Sequence, residues 1–303
     1  MADGVRLSLR RGARRLMFLG VRSMMRVVGF ARAGPVGQLV GEWQFRLGGR
    51  SRRRMEAEMA LALRRPADDA AVPPMLREAY RVNTAAVFEV MAMLDRKLDE
   101  AALLARSEVD GLEHLHAALA QSRGAILLAA HMGNAALLPL RLAASGWPVS
   151  VLYKESRMMS ADFFVEGLAR YSVQGIAANG GIRAYAEMLQ ALKQGRIVFL
   201  MLDQGVKAEK DGIVHRFLAK DMPMPAGPAQ LARTAKAPVL PVATTAATPV
   251  WRFALQPPLA LGRETLEADA AILVAATERM VLSHPQLWSW QQRRWRKFRI
   301  ASS

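Results

Sequence analysis

Two textures divide the chain. Up to residue 122 apolar positions recur at three- and four-residue spacing, the period of helices with one buried face. "RRRMEAEMALALRR" and "LREAYRVNTAAVFEVMAMLDRKL" both show it, and the Pro-rich "PADDAAVPP" breaks between them. "GLEHLHAALAQSRG" reads as a short helix closed by Gly124. After Gly124 short continuous apolar runs alternate with helical stretches. The runs are 125–130, 148–153, 173–178, 196–202, 237–245 and 250–256. The helical stretches are 135–145, 160–171, 181–194, 227–236 and 264–283, with a long loop over 203–224.

Continuous apolar strands separated by helices predict an α/β fold, with a mostly parallel central sheet covered on both faces. No flexible linker is visible, so residues 1–303 read as one domain. It divides into an N-terminal amphipathic helix at 1–33, a helical layer at 34–122, an α/β core at 123–285 and a basic tail at 286–303. In such sheets ligands bind beyond the carboxyl ends of the strands. His131 follows the first run, and Asp203 and Gln204 follow the "RIVFLML" run, so topology makes them neighbours.

Charge sharpens this picture. The net charge is +16, and residues 1–54 hold thirteen arginines and no lysine against Asp3 and Glu42. That end carries a surplus of eleven, leaving five for the other 249 residues. Arg293, Arg294, Arg296, Lys297 and Arg299 form a second cluster. Basic ends on a nearly balanced body suit an anionic surface. In "RRGARRLMFLGVRSMMRVVGFAR", Arg11, Arg15, Arg22 and Arg26 share one helical stripe, and Leu16, Phe18, Leu19, Met24, Met25, Val27, Val28 and Phe30 fill the rest. The longest uncharged stretch, Leu16 to Val21, is far short of the roughly 20 residues that span a bilayer. The arginines also interrupt any signal-peptide core. The reading is a basic helix lying in a membrane interface. The alternative is a helix packed on its own domain with arginines facing water. Nucleic acid is not expected, because aliphatic side chains rather than aromatic platforms separate the arginines.

The absence of cysteine excludes disulfides, thiolate nucleophiles and Cys-based zinc sites. No two histidines stand at metal-ligand spacing beside an acid, so no metal is expected. The chain has no P-loop and no Gly-x-Ser-x-Gly elbow.

Several blocks, in order, resemble the bacterial lipid A biosynthesis (late) acyltransferases, a group that includes mannoside acyltransferases. They are "GLEHLHAALAQSRGAILLAAHMGN", "LKQGRIVFLMLDQG", "FLAKDMPMPAGPAQLARTAKAPVLPV" and the tail "HPQLWSWQQRRWR". The resemblance covers most of the chain and implies a glycerolipid-acyltransferase-like fold. It implies a peripheral or monotopic enzyme on the cytoplasmic face of the bacterial inner membrane. Such an enzyme moves a fatty acyl group from an acyl carrier protein or coenzyme A thioester to a hydroxyl or amine on a lipid or glycolipid. The donor is a substrate, and no cofactor is implied. The family signature is His, four residues, then Asp or Glu. Counted from His131 the acid falls at Ala136, and no acid lies closer in sequence than Glu113 and Glu155.

Acyl transfer from a thioester needs a base for the acceptor proton, and His131 suits that role. It needs donors for the tetrahedral oxyanion, and the amides around Gly133 and Asn134 at a helix start suit that. It needs a group that fixes the imidazole tautomer, and Asp203 is the first candidate to replace the missing acid. Substrate-binding candidates are Gly133, Asn134, Gln204 and Arg170, the last lying close to where the family carries a substrate-contacting arginine. A chain without the acid could instead be catalytically impaired and act as a lipid-binding or partner protein. Tyr153 and Lys154 end another strand, His215 lies in the loop that could cover the site, and His114 and His116 read as surface residues. His284 reads as structural.

Overall fold

A computed structural model describes residue 16 and residues 18–154, 161–206, 212–247 and 249–292. Arg11, Arg15, Glu155 and the basic cluster from Arg293 to Arg299 lie outside the described residues.

The core is a seven-stranded sheet in the order β1-β9-β8-β2-β5-β3-β4, flanked by helices. Its strands are β1 (Ser107–Asp110), β2 (Ala125–Ala129), β3 (Val149–Tyr153), β4 (Gln174–Ala177), β5 (Ile197–Met201), β8 (Val239–Ala246) and β9 (Trp251–Leu255). Strands β8, β2, β5, β3 and β4 run parallel, and β9 turns antiparallel to β8 with β1 beside it. All five residues of β2 are buried, as expected of a central strand covered on both faces. β1 lies in a region that reads as helical, so the sheet begins ahead of residue 123. The long loop holds a hairpin, β6 (Ile213–Phe217) paired with β7 (Lys220–Met224).

The connections locate a crevice. α7 (Leu137–Ala144) carries the chain from β2 to β3 across β5, while α10 (Gly227–Ala235) follows β5 and leads to β8 on the opposite side. Right-handed crossovers in opposite directions put α7 and α10 on opposite faces. α8 (Ala161–Ala169) precedes β4, and α9 (Ile182–Lys193) precedes β5 and packs on α10. The order therefore reverses between β2 and β5, and the space beyond their carboxyl ends is where such sheets bind ligands.

Helices form the other layer. α4 (Val72–Asp95) is its pillar, started by prolines in its first turn and buried along most of its length. α2 (Phe30–Leu47) lies against it along Ala33, Gly37 and Gly41, one turn apart. A Cβ on Gly37 would stand 2.5 Å from Ala85 Cα, and one on Gly41 2.4 Å from the Tyr80 carbonyl oxygen, so glycine sets the approach. The opposite face of α2 carries Leu39, Trp43 and Leu47, exposed by 60%, 57% and 77%. α3 (Gly49–Ala62) follows, with Arg50, Arg53 and Arg54 exposed.

The helix over 18–28, here α1, breaks at Gly29, so the expected boundary at 33/34 falls inside α2. Of the arginine stripe, Arg22 and Arg26 are described, and both meet the protein's own Asp95. Arg22 Nε donates to Asp95 Oδ1 at 2.7 Å and Arg26 grips the same carboxylate. Burial pushes the Asp95 carboxyl up, but the bonds from Arg26 and Arg22 outweigh it and hold it below the usual range. Phe18 and Met25 are buried, and Val27 is 90% exposed.

Candidate functional site

Strand register assembles the central pair. Ala129 of β2 pairs with Met201 of β5, and the next parallel steps carry the chain to His131 and Asp203. Equal offsets from paired residues leave the two side chains adjacent, although 72 positions separate them in sequence. His131 Nδ1 lies 2.6 Å from Asp203 Oδ1. The Asp203 side chain is fully buried, while that of His131 is 32% exposed. The carboxylate's other oxygen, Oδ2, accepts the His131 backbone N–H at 3.2 Å and the Trp288 indole N–H at 2.7 Å. A carboxylate at Nδ1 fixes the proton on that nitrogen and leaves a lone pair on Nε2. Gln204 Nε2 stands 3.4 Å from His131 Nε2, so an amide donor borders the lone pair.

The loop after His131 is held from behind. Asn134, fully buried, donates from Nδ2 to Glu89 Oε2 at 2.9 Å, and Trp251 Nε1 donates to the same oxygen at 2.7 Å. Arg106 closes the other Glu89 oxygen at 2.7 Å, so the buried carboxylate is paired. Gly133 has φ +50°, and a Cβ there would lie 2.2 Å from the Trp251 ring. Its N–H is engaged by the Leu287 carbonyl at 2.9 Å and Asn83 Oδ1 at 3.3 Å. The Asn83 amide in turn donates to the carbonyls of Leu287 and Trp288. α4 thus ties the His131 loop to the C-terminal segment.

The sequence candidates separate accordingly. His131, Asp203 and Gln204 meet beyond the carboxyl ends of β2 and β5. Gly133 and Asn134 shape the loop, but the Gly133 amide is spent and α7 starts only at Leu137, so Gly133 is not an open oxyanion donor. Arg170 follows α8 and precedes β4, which places it by the amino ends of the parallel strands, opposite to His131. There it donates to the Leu94 carbonyl and pairs with Glu166 at 3.6 Å. Tyr153 stacks on Phe164 with centroids 5.5 Å apart, and Lys154 is exposed. His114 sits 3.8 Å from Glu113, and His116 packs edge-on to Trp147. His215 lies on β6, and burial lowers its affinity for a proton, as it does for His284. Among the described residues no cluster of His, Asp and Glu has the form of a metal site.

Sequence reasoning missed Trp288, Trp251, Glu89 and Asn83. The expected basic tail at 286–303 begins inside the core: Leu287, Trp288 and Trp290 are buried and Ser289 N–H bonds the His131 carbonyl at 3.0 Å. Two signals were available for Trp288: its place in the resemblance block "HPQLWSWQQRRWR", and the tendency of a buried tryptophan to seek a partner for its N–H.

These features define a class: an α/β protein whose helix-covered, mostly parallel sheet ends in an imidazole–carboxylate pair, with a helical N-terminal layer. The description matching residues 6–297 is "Bacterial lipid A biosynthesis acyltransferase". The chain belongs to that family and is an acyltransferase acting on a lipid or glycolipid. It is also similar to proteins named phosphatidylinositol mannoside acyltransferase from two strains of Mycobacterium tuberculosis. One is 28% identical over 232 residues, covering 75% of this chain and 72% of the relative. The other is 28% identical over 221 residues, covering 72% and 66%.

Proposed function

We propose that the chain transfers a fatty acyl group from a thioester of acyl carrier protein or coenzyme A to a hydroxyl on a membrane glycolipid, with His131 as general base. Its relatives' name points to a mannosylated phosphoinositide as the acceptor class. The carrying observation is the 2.6 Å contact between His131 Nδ1 and buried Asp203, with the rest of the imidazole reachable from outside. Nε2 takes the acceptor proton as the hydroxyl oxygen attacks the thioester carbonyl. Asp203 holds the imidazolium that forms, and Gln204 offers an N–H to the oxyanion. The tetrahedral centre then collapses, the C–S bond breaks, and the leaving thiolate takes the proton from Nε2. An amine acceptor would follow the same course.

Membrane docking is part of this reading, and the outer face of α2 supports it. Leu39, Trp43 and Leu47 share one stripe with Arg50, Arg53 and Arg54 just beyond, which suits acyl chains below and anionic headgroups beside them. Among the described residues no helix is long and apolar enough to cross a membrane.

The test is thiol release from an acyl-carrier-protein or coenzyme A thioester, with glycolipid acceptors in vesicles. The His131→Ala protein should lose release. Equal rates in both proteins would remove His131 from the chemistry. Lipid binding without turnover in the unaltered chain would favour a binding or partner role.

A further inference from the structure

Two indoles reach the buried side of the His131 loop, and each donates to a carboxylate with no exposed surface. Trp251 serves Glu89, which braces Asn134. Trp288 serves Asp203 itself. Nothing in the proposed chemistry uses Trp288, and at 1% exposure it cannot touch a substrate.

A single bond from Nδ1 would leave a carboxylate free to turn about its own axis. Here Oδ2 is pinned by two further donors. One, the His131 amide, belongs to the unit being positioned. The other, Trp288 Nε1, comes from a separate segment that is itself keyed to the loop: Trp288 bridges to Met132 across an isolated antiparallel pair, and the next residue's N–H holds the His131 carbonyl. The indole is therefore a reference outside that unit for how Asp203 faces the imidazole. Its ring is locked in turn by Trp290 at 4.7 Å and Phe217 at 6.3 Å, both edge-on.

We propose that Trp288 is a positioning residue: its indole N–H holds Asp203 in the orientation that keeps the proton on Nδ1 and the lone pair on Nε2 of His131. The inference rests on the reading of His131 as base. Without the N–H, a buried carboxylate oxygen keeps an unused lone pair and the carboxylate can rotate away. Hydrogen bonds to charged groups are strong enough that turnover should fall about 10- to 100-fold, with KM nearly unchanged.

Trp288→Phe removes the donor but also shortens a core side chain. The decisive protein therefore carries β-(3-benzothienyl)alanine at position 288, where sulfur replaces the N–H and the bicyclic shape stays. The full chain is assayed with a thioester donor, and the histidine side chains are labelled with nitrogen-15 to read the His131 tautomer by NMR. The expected result is a lower kcat, a KM within about twofold and loss of the pure Nδ1–H signal. A benzothienyl protein with wild-type kcat and an unchanged His131 spectrum would overturn the inference, even if Trp288→Phe is impaired, since packing alone would then explain the tryptophan. Loss of activity in His131→Ala beside a fully active benzothienyl protein would refute the Trp288 role alone. Activity retained in His131→Ala would instead refute the base.

Discussion

Asp203→Asn changes one atom in the middle of the site, and the structure dictates how the amide must sit. Oδ2 accepts two N–H groups, at 3.2 Å from His131 and 2.7 Å from Trp288, whereas Oδ1 faces the ring nitrogen Nδ1 at 2.6 Å. An amide that put its NH2 toward the two donors would oppose both. The asparagine therefore keeps its oxygen there and turns its NH2 toward Nδ1. Nδ1 must then accept, the proton moves to Nε2, and the lone pair that would take the acceptor's proton is gone. Neutralising the corresponding acid of a serine-protease triad costs roughly 10⁴ in kcat by the same tautomer change, about 5 kcal/mol of transition-state stabilisation. A fall of about 10³ to 10⁴ is expected here on that scale. KM should hardly move, because Asp203 is fully buried. Single-turnover thiol release from a thioester donor measures the step directly, and an unchanged melting curve shows the fold is kept. An Asp203→Asn protein that turns over within a few-fold of the unaltered chain would refute the argument.

Ala136→Glu restores the acid of the family's spacing, yet Nδ1 already has its carboxylate, so thiol release should not rise; a tenfold gain would show that Asp203 does not suffice. Replacing Trp43 and Leu47 together with alanine removes two exposed apolar side chains from α2. Flotation with anionic vesicles should drop at least about tenfold, since burying each is worth up to roughly 1.5–3 kcal/mol, while melting stays unchanged. His215 and His284 are pushed below their ordinary value by burial, so the unfolded chain binds more protons than the folded one just below pH about 6.5. Stability contributed by the neutral rings is complete above that pH and falls as pH drops through it. Urea midpoints at two pH values, with and without glutamine at both positions, read the effect.

Much of this molecule was legible in its residues. The six apolar runs mark six of the seven sheet strands, most plainly β2, β5 and β8, whose near-continuous burial leaves no polar alternation to blur the run. The placement of His131 and Asp203 at neighbouring strand ends followed from the same runs. β1 escaped because its four residues, "SEVD", are short and polar and sit against β9 only at the sheet edge. The β6–β7 hairpin escaped because its turn residues, Leu218 and Ala219, adopt φ of 48° and 65°, where Asn or Gly would have announced it. The N-terminal stripe was only half legible: periodicity shows that arginines share a face but not what lies opposite, and Asp95 lies opposite Arg22 and Arg26.

The sequence alone determined the α/β class, the basic amino end, the lack of thiol chemistry and the imidazole placed where a buried strand stops. These are local properties, carried by hydrophobic period and residue type. Only the tertiary structure decided which carboxylate serves His131, since Ala136 is near in sequence and Asp203 is near in space. It also decided that the carboxyl-terminal indole of Trp288 and the α4 residues Asn83 and Glu89 hold the loop, and that Arg170 stands at the far end of the sheet. Register between parallel strands and the packing of segments some two hundred residues apart exist only once the chain has closed on itself.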